Sequence, residues 1–199
     1  MRKEIAGDDP AAKIVVHATT QKGRQSLRFH ITETLDEYIA AIVDLIHAVN
    51  QLDHVYLVVR PHPVCKLSED ELRLMLPDCP RLRILNTGSF SRILSAADLL
   101  ISYSSTVIEE ALQNDIPVIL YDKWCRYNHF NVEETMSLNG RALKPVSYLT
   151  NPKYLRECIE KKLSQFNHGG FEPDFVKAYK YPKEYRRNFL DFVDQSLKH

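Results

Sequence analysis

Apolar residues fall along the first two thirds of the chain in short runs, separated by longer stretches with a helical repeat. Residues 14–16 (Ile-Val-Val), 54–60 (His-Val-Tyr-Leu-Val-Val-Arg) and 117–122 (Pro-Val-Ile-Leu-Tyr-Asp) are rich in β-branched or aromatic side chains and bounded by polar turns. That is the pattern of strands buried on both faces of a parallel sheet. Weaker runs at 81–86 and 98–102 predict two more strands, and residues 142–146 a sixth. Between them, residues 35–52 place Leu35, Tyr38, Ile39, Ile42, Val43, Leu45, Ile46 and Val49 on one broad face of a helix. Residues 68–76 open with Ser68-Glu-Asp-Glu71, the spacing of a capping box, and stop at Pro77. Residues 90–97 and 104–113 predict short helices, the second with Ser or Thr available as N-cap, and 151–166 an amphipathic helix opened by Pro152.

Strand–helix alternation at this spacing requires right-handed crossovers and a sheet covered on both faces. The expected fold class is therefore α/β, a Rossmann-like doubly wound parallel sheet over residues 12–168. Residues 1–11, polar and containing Asp8-Asp9-Pro10, read as a flexible leader. After His168-Gly169-Gly170, residues 169–199 read as an aromatic-rich helical tail.

A chain of 199 residues buries one sizeable core with an appendage left over. The 26 Lys and Arg balance 26 Asp and Glu, which argues against nucleic acid as the main partner, because neutralising phosphates needs a basic excess. Cys65, Cys79, Cys125 and Cys158 are scattered, with no C-x-x-C pair, and read as reduced thiols. The first 13 residues lack the apolar segment of a signal peptide, and no apolar stretch reaches the length of a membrane span. The expected location is cytoplasmic, with a peripheral contact at the inner membrane left open. In the tail, Lys177, Lys180, Lys183, Arg186 and Arg187 interleave with Phe175, Tyr179, Tyr181, Tyr185 and Phe189. This pattern fits a membrane-surface or nucleic-acid patch, or an amphipathic segment packing on the domain or a neighbour.

In an open parallel sheet, ligands sit beyond the carboxyl ends of the strands. There the sequence concentrates polar groups: His17 to Arg24 after the first strand, Arg60-Pro61-His62-Pro63 after the second, and Asn86-Thr87-Gly88-Ser89 after the third. Ser102-Tyr103-Ser104-Ser105-Thr106 follows the fourth, and Asp122 to Tyr127 the fifth. Ser104, Ser105 and Thr106 at a helix start make either an anion cradle or a plain N-cap. Two prolines stiffen the loop carrying Arg60 and His62. His62 is either a hydrogen-bond donor to a phosphate or a structural histidine satisfying loop carbonyls. Trp124 and Tyr127 line an acceptor cleft or pack as core.

R-P-H-P after a strand, then A-D-L-L-I-S-Y-S-S-T-V-I-E-E-A-L and P-V-I-L-Y-D, resemble the C-terminal domain of GT-B glycosyltransferases of surface-polysaccharide synthesis over about residues 14–125. The nearest resemblance is to CMP-sugar users with "HP" and "SS" motifs, the sialyltransferases and capsule Kdo transferases; CDP-glycerol-type polymer transferases look similar across the same stretches. The resemblance implies His62 as the catalytic contact to the donor phosphate, with Ser104, Ser105, Thr106, Arg60, Thr19 and Arg24 around that phosphate. It implies Gly88 and Ser89 near the base, and Glu109 or Glu110 at the ribose, unless these two are a solvated helix face. No cofactor is implied, and the absence of a D-x-D triplet gives no indication of a metal. The implied ligands are a CMP- or CDP-linked sugar, UDP less so, and an acceptor glycan. The catalytic base would lie on an N-terminal Rossmann domain or partner subunit. A UDP-sugar 2-epimerase-like domain and a non-catalytic partner-binding module are the alternatives.

Overall fold

The computed structural model describes residues 1–19, 33–62, 65, 67–127, 130, 132–135, 143–166, 171–179 and 187. Among the described residues, six strands form one sheet: β1 (Lys13–Thr19), β2 (Val55–Pro61), β3 (Leu82–Ile84), β4 (Leu99–Ser102), β5 (Val118–Tyr121) and β6 (Val146–Leu149). Every pairing is parallel, and the order is β3-β2-β1-β4-β5-β6. The expected α/β, Rossmann-like doubly wound sheet is thus borne out. β6 begins four residues later than the apolar pattern placed it, because the pairing partner of Val118 is Val146.

Among the described residues, the strands are connected and covered by α1 (Arg2–Ala6), α2 (Leu35–Asn50), α3 (Glu69–Met75), α4 (Phe90–Leu94), α5 (Val107–Gln113), α6 (Leu155–Gln165) and α7 (Pro173–Tyr179). One core layer packs α2 and α6 against Val15, Leu57, Val59, Leu99 and Ile101; the other packs α1, α4 and α5 against Ile14, Val16, Leu100, Val118 and Leu120. The alternation of strand side chains between these layers is the period of two made visible.

Local chemistry fixes the helix starts. Ser68 caps α3 as expected, accepting from the Glu71 N–H while Glu71 reaches back to the Ser68 N–H. Thr34 and Glu37 form the same reciprocal box at α2. The predicted helix 104–113 starts only at Val107. Thr106 stands at its N-cap position with helical backbone angles and makes no side-chain cap, so the expected Ser/Thr cap is not formed.

The leader differs most from expectation. Residues 2–6 form α1, with Ile5 2% exposed. The Arg2 guanidinium donates to the Ala96 and Ala12 carbonyls and to the Asp98 carboxylate at 2.6 to 2.8 Å, and Asp98 also accepts from the Ile14 N–H. A single arginine fork therefore pins the segment to the start of β1 and β4. Of the tail, α7 is present, with Phe171 edge-on to both Phe166 and Phe175. Except for Arg187, the tail beyond Tyr179 lies outside the described residues, as does Ala142.

Candidate functional site at the carboxyl edge of the sheet

Strand order reverses between β1 and β4, so chain leaves β1 toward β2 on one side and arrives at β4 on the other. The carboxyl ends of these two strands open a crevice, the usual ligand position in an open α/β sheet. Two side chains stitch the seam: the Ser102 hydroxyl donates to the Ala18 carbonyl at 3.0 Å, and His17 Nδ1 lies 3.0 Å from the Ile101 carbonyl oxygen. A carbonyl only accepts, so Nδ1 carries the proton and Nε2 is the ring's acceptor. Full burial holds the His17 pKa down at about 4, so the ring is neutral near pH 7.

The turn after β4 carries the hydroxyls. Ser104 is 5% exposed, Ser105 half-buried and Thr106 exposed. Ser105 Oγ lies 3.5 Å from the Val107 N–H, at the outer limit of a hydrogen bond. Ser105 and Thr106 therefore present hydroxyls at the edge, while Ser104 is set into the turn beneath them. Thr19 ends β1 opposite Pro61, one strand away.

Arg60 does not point at open solvent. Its guanidinium donates to the carbonyls of Leu85, Thr87 and Gly88, the last two at 3.1 and 2.9 Å. These bonds tie the end of β2 to the loop after β3. In that loop Gly88 has φ +84°, a conformation open to glycine and strained for other residues. Ser89 stands at the start of α4 with its hydroxyl 2.7 Å from that of Ser91. The sequence marked Arg60 as a phosphate contact; its three donors instead organise the loop carrying Gly88 and Ser89. His62 is exposed just past β2, its carbonyl accepting from the Cys65 N–H. Glu109 lies in the first turn of α5, half-buried. Arg24 lies outside the described residues.

On the β5 side, the 122–127 segment marked in the sequence meets Glu37 and Asp44 of α2, which the sequence did not mark. Asp122 accepts from the backbone N–H groups of Trp124, Arg126 and Tyr127, which folds the 122–127 segment around one carboxylate. Burial pushes its pKa up, and these three donors oppose the rise. Arg126 pairs with Glu37, whose carboxyl is held below the usual range by Arg126 first and the Thr34 backbone second. Lys123 pairs with Asp44 at 2.7 Å, and the Tyr121 hydroxyl donates to the same carboxylate. Trp124, 37% exposed, has the cations of Lys123 and Arg126 at 5.4 and 5.8 Å from its ring.

A cavity of about 20 Å³, room for one water, lies in this region, lined by His17, Glu33, Tyr38, Tyr103, Tyr121 and Asp122 among others. Larger hollows of about 590 and 440 Å³ lie beside Val146 and Phe166 and beside Asp98 and Asn114, at the amino ends of strands. Among the described residues no cluster of His, Cys, Asp or Glu is arranged to hold a metal, and no helix is long and apolar enough to cross a membrane.

Comparison with solved structures gives the glycosyltransferase of kitacinnamycin at TM-score 0.55 and 17% identity, covering 93% of this chain and 43% of that one. S. aureus MnaA, in a co-structure with UDP, matches at TM-score 0.60 and 12% identity, over 99% of this chain and 48% of that one. The UDP-GlcNAc 2-epimerase from Neisseria meningitidis, bound to UDP-GlcNAc, matches at 0.51 and 12%, over 100% and 48%. The chain thus spans less than half the length of each, and at such identities the shared property is the fold: one Rossmann-like half of a GT-B architecture. A comparison with curated protein sequences returns no match. Residues 4–138 match the model of the LIC12162 family transferases.

Proposed function

Because the chain belongs to the LIC12162 family of transferases, we propose that it forms the donor-binding half of a GT-B glycosyltransferase, gripping a nucleotide-activated sugar by its phosphate at the β1/β4 switch point. The observation that supports this reading is the convergence at one sheet edge of the Ser105–Thr106 hydroxyls, His62 and the glycine loop held by Arg60. Donors aimed at a leaving phosphate stabilise charge that grows as the bond to the sugar breaks. In this reading Ser105, Thr106, His62, Thr19 and Arg24 face the phosphate, and Ser104 and Arg60 hold the turn and loop. Gly88 and Ser89 meet the base through backbone groups, and Glu109 meets the ribose. An acceptor hydroxyl of a glycan attacks the anomeric carbon, and the nucleotide departs with the bonding electron pair, inverting the centre. No metal bridge takes part, and the base that receives the acceptor proton comes from a facing domain or subunit. The site works in the cytoplasm, with any membrane contact peripheral.

The preferred donor is CMP- or CDP-linked, on the strength of the R-P-H-P and S-S-T stretches. A second reading, a UDP-sugar 2-epimerase-like domain, is favoured by the likeness to S. aureus MnaA with UDP and to the N. meningitidis epimerase. Isothermal titration of the folded chain with CMP, CDP, UMP and UDP separates them. The glycosyltransferase reading expects a cytidine nucleotide to bind best, and a Ser104→Ala, Ser105→Ala double change to weaken it by about tenfold, the worth of one good hydrogen bond. Preference for uridine moves the assignment to the second reading, and a folded chain that binds none of the four overturns both.

A further inference from the structure

The Tyr103 hydroxyl is buried and has no hydrogen-bond partner, and its ring lines the 20 Å³ cavity together with His17. Leaving a buried hydroxyl unmet is costly, so a group that enters the cavity and meets it is favoured over one that does not. Burial, then the charges of Glu33 and Asp122, push the phenol pKa up, so Tyr103 keeps its proton and remains a donor. His17 lines the same space as a neutral ring whose Nδ1 is committed to Ile101, which leaves Nε2 to accept. Arg126 adds a second buried donor without a partner, Nη1, close enough for its charge to act on Tyr103.

Building on the donor-binding reading above, we propose that this cavity is a hydroxyl-reading subsite, which takes one hydroxyl of the group carried by the nucleotide. A hydroxyl donates once and accepts, so it can satisfy His17 Nε2 and the Tyr103 O–H together. A carboxylate, acceptor only, meets the lone pair of His17. An ammonium, donor only, leaves the Tyr103 proton unmet, and a methyl or hydrogen leaves both groups unmet. The cavity's volume admits one water-sized group and no more. Its place fits as well. Tyr103 immediately precedes the Ser104–Thr106 turn, and the other lining groups belong to β1, to α2 with Glu33 just before it, and to the end of β5 with the residues after it. The loop assigned to the base follows β3, on the opposite side of the switch point. A ligand laid along the sheet edge with its base at β3 and its phosphate at the β4 turn sends its transferred group toward β5, into reach of the cavity. Sites built to hydrogen-bond a hydroxyl discriminate strongly against analogues that lack it.

The test is titration of the full chain and of Tyr103→Phe with CDP against CDP-glycerol and with UDP against UDP-N-acetylglucosamine. Tyr103→Phe removes an unpartnered hydroxyl, so folding is preserved and is checked by thermal melting. The expected result is that, for at least one pair, the wild-type chain prefers the linked form, and that Tyr103→Phe cuts this preference about tenfold. A wild-type preference at or below one for both pairs, or a preference that Tyr103→Phe leaves unchanged, overturns the subsite while bare-nucleotide binding keeps the donor reading intact. Absence of binding to all four compounds by the folded wild-type chain overturns both.

Discussion

His17 makes the switch point sensitive to acid in a way that can be worked out in advance. The ring is fully buried between β1 and β4, and its pKa falls from an ordinary 6.5 to about 4 because burial disfavours the imidazolium. In the unfolded chain the same ring takes up a proton near pH 6.5. Between these values the unfolded state binds more protons, so stability falls as pH is lowered through that window and is fully present above pH 6.5. Integrated from pH 7 to pH 4, the difference of about two pH units of proton uptake corresponds to about 3 kcal/mol lost. Urea midpoints at the two pH values, compared between wild type and His17→Asn, isolate this contribution, because the other titrating groups are common to both chains. The pH-dependent loss should be about 3 kcal/mol larger in the wild type. NMR of the imidazole nitrogens gives the direct readout: His17 should appear as the Nδ1–H tautomer with a pKa near 4. A pKa at or above 6.5, or an Nε2–H tautomer, would refute both the burial argument and the assignment of Nε2 as an acceptor.

Arg60→Lys should loosen the loop at residues 85–89, because one ammonium cannot reach three carbonyls in the fork geometry of a guanidinium. Amide hydrogen exchange in that loop should speed up while β2 stays protected, and nucleotide affinity should fall about tenfold through the loop; unchanged exchange would remove Arg60 from this role. Lys162 is buried with its ammonium donating to the Lys144 and Pro145 carbonyls, and burial pulls its pKa from 10.5 to about 7. Its folded pKa being the lower, stability should rise by about 2 kcal/mol from pH 7 to pH 9, a rise absent from Lys162→Met. Ser68→Ala removes the capping box of α3 and should cost about 1 kcal/mol by urea unfolding.

How much of this was readable in the chain depends on the range of the interaction. Five strands came from apolar runs, and the α3 capping box from a spacing of three, since both are local. The box at Thr34 and Glu37 is overshadowed in the sequence by the apolar face that begins at Leu35. Helix α1 escaped because Ile5 and Ala6 are too few to show a period; what docks the segment is Arg2 meeting carbonyls ten and ninety-four positions away. The delayed start of α5 follows from the tight turn after β4, which sets Ser104 inward. Arg60 read as a ligand contact because its partners, twenty-five to twenty-eight residues on, are backbone carbonyls that leave no mark in the sequence. The cluster of His17, Tyr103, Asp122 and Arg126 needed the strand order, which brings β1 beside β4 and β4 beside β5. Arg126 and Glu37 are 89 positions apart and meet only in the folded sheet.

The central claim is that a nucleotide phosphate binds at the carboxyl edge, beside the small cavity, rather than in the larger hollows at the amino edge. Backbone amide NMR of the chain titrated with CDP tests it most directly. The largest shifts should fall at Ser105, Thr106 and Val107, with a second group at Gly88 and Ser89. Shifts centred instead on Asp98, Asn114 and Lys144, or no saturable shifts at all, would contradict it.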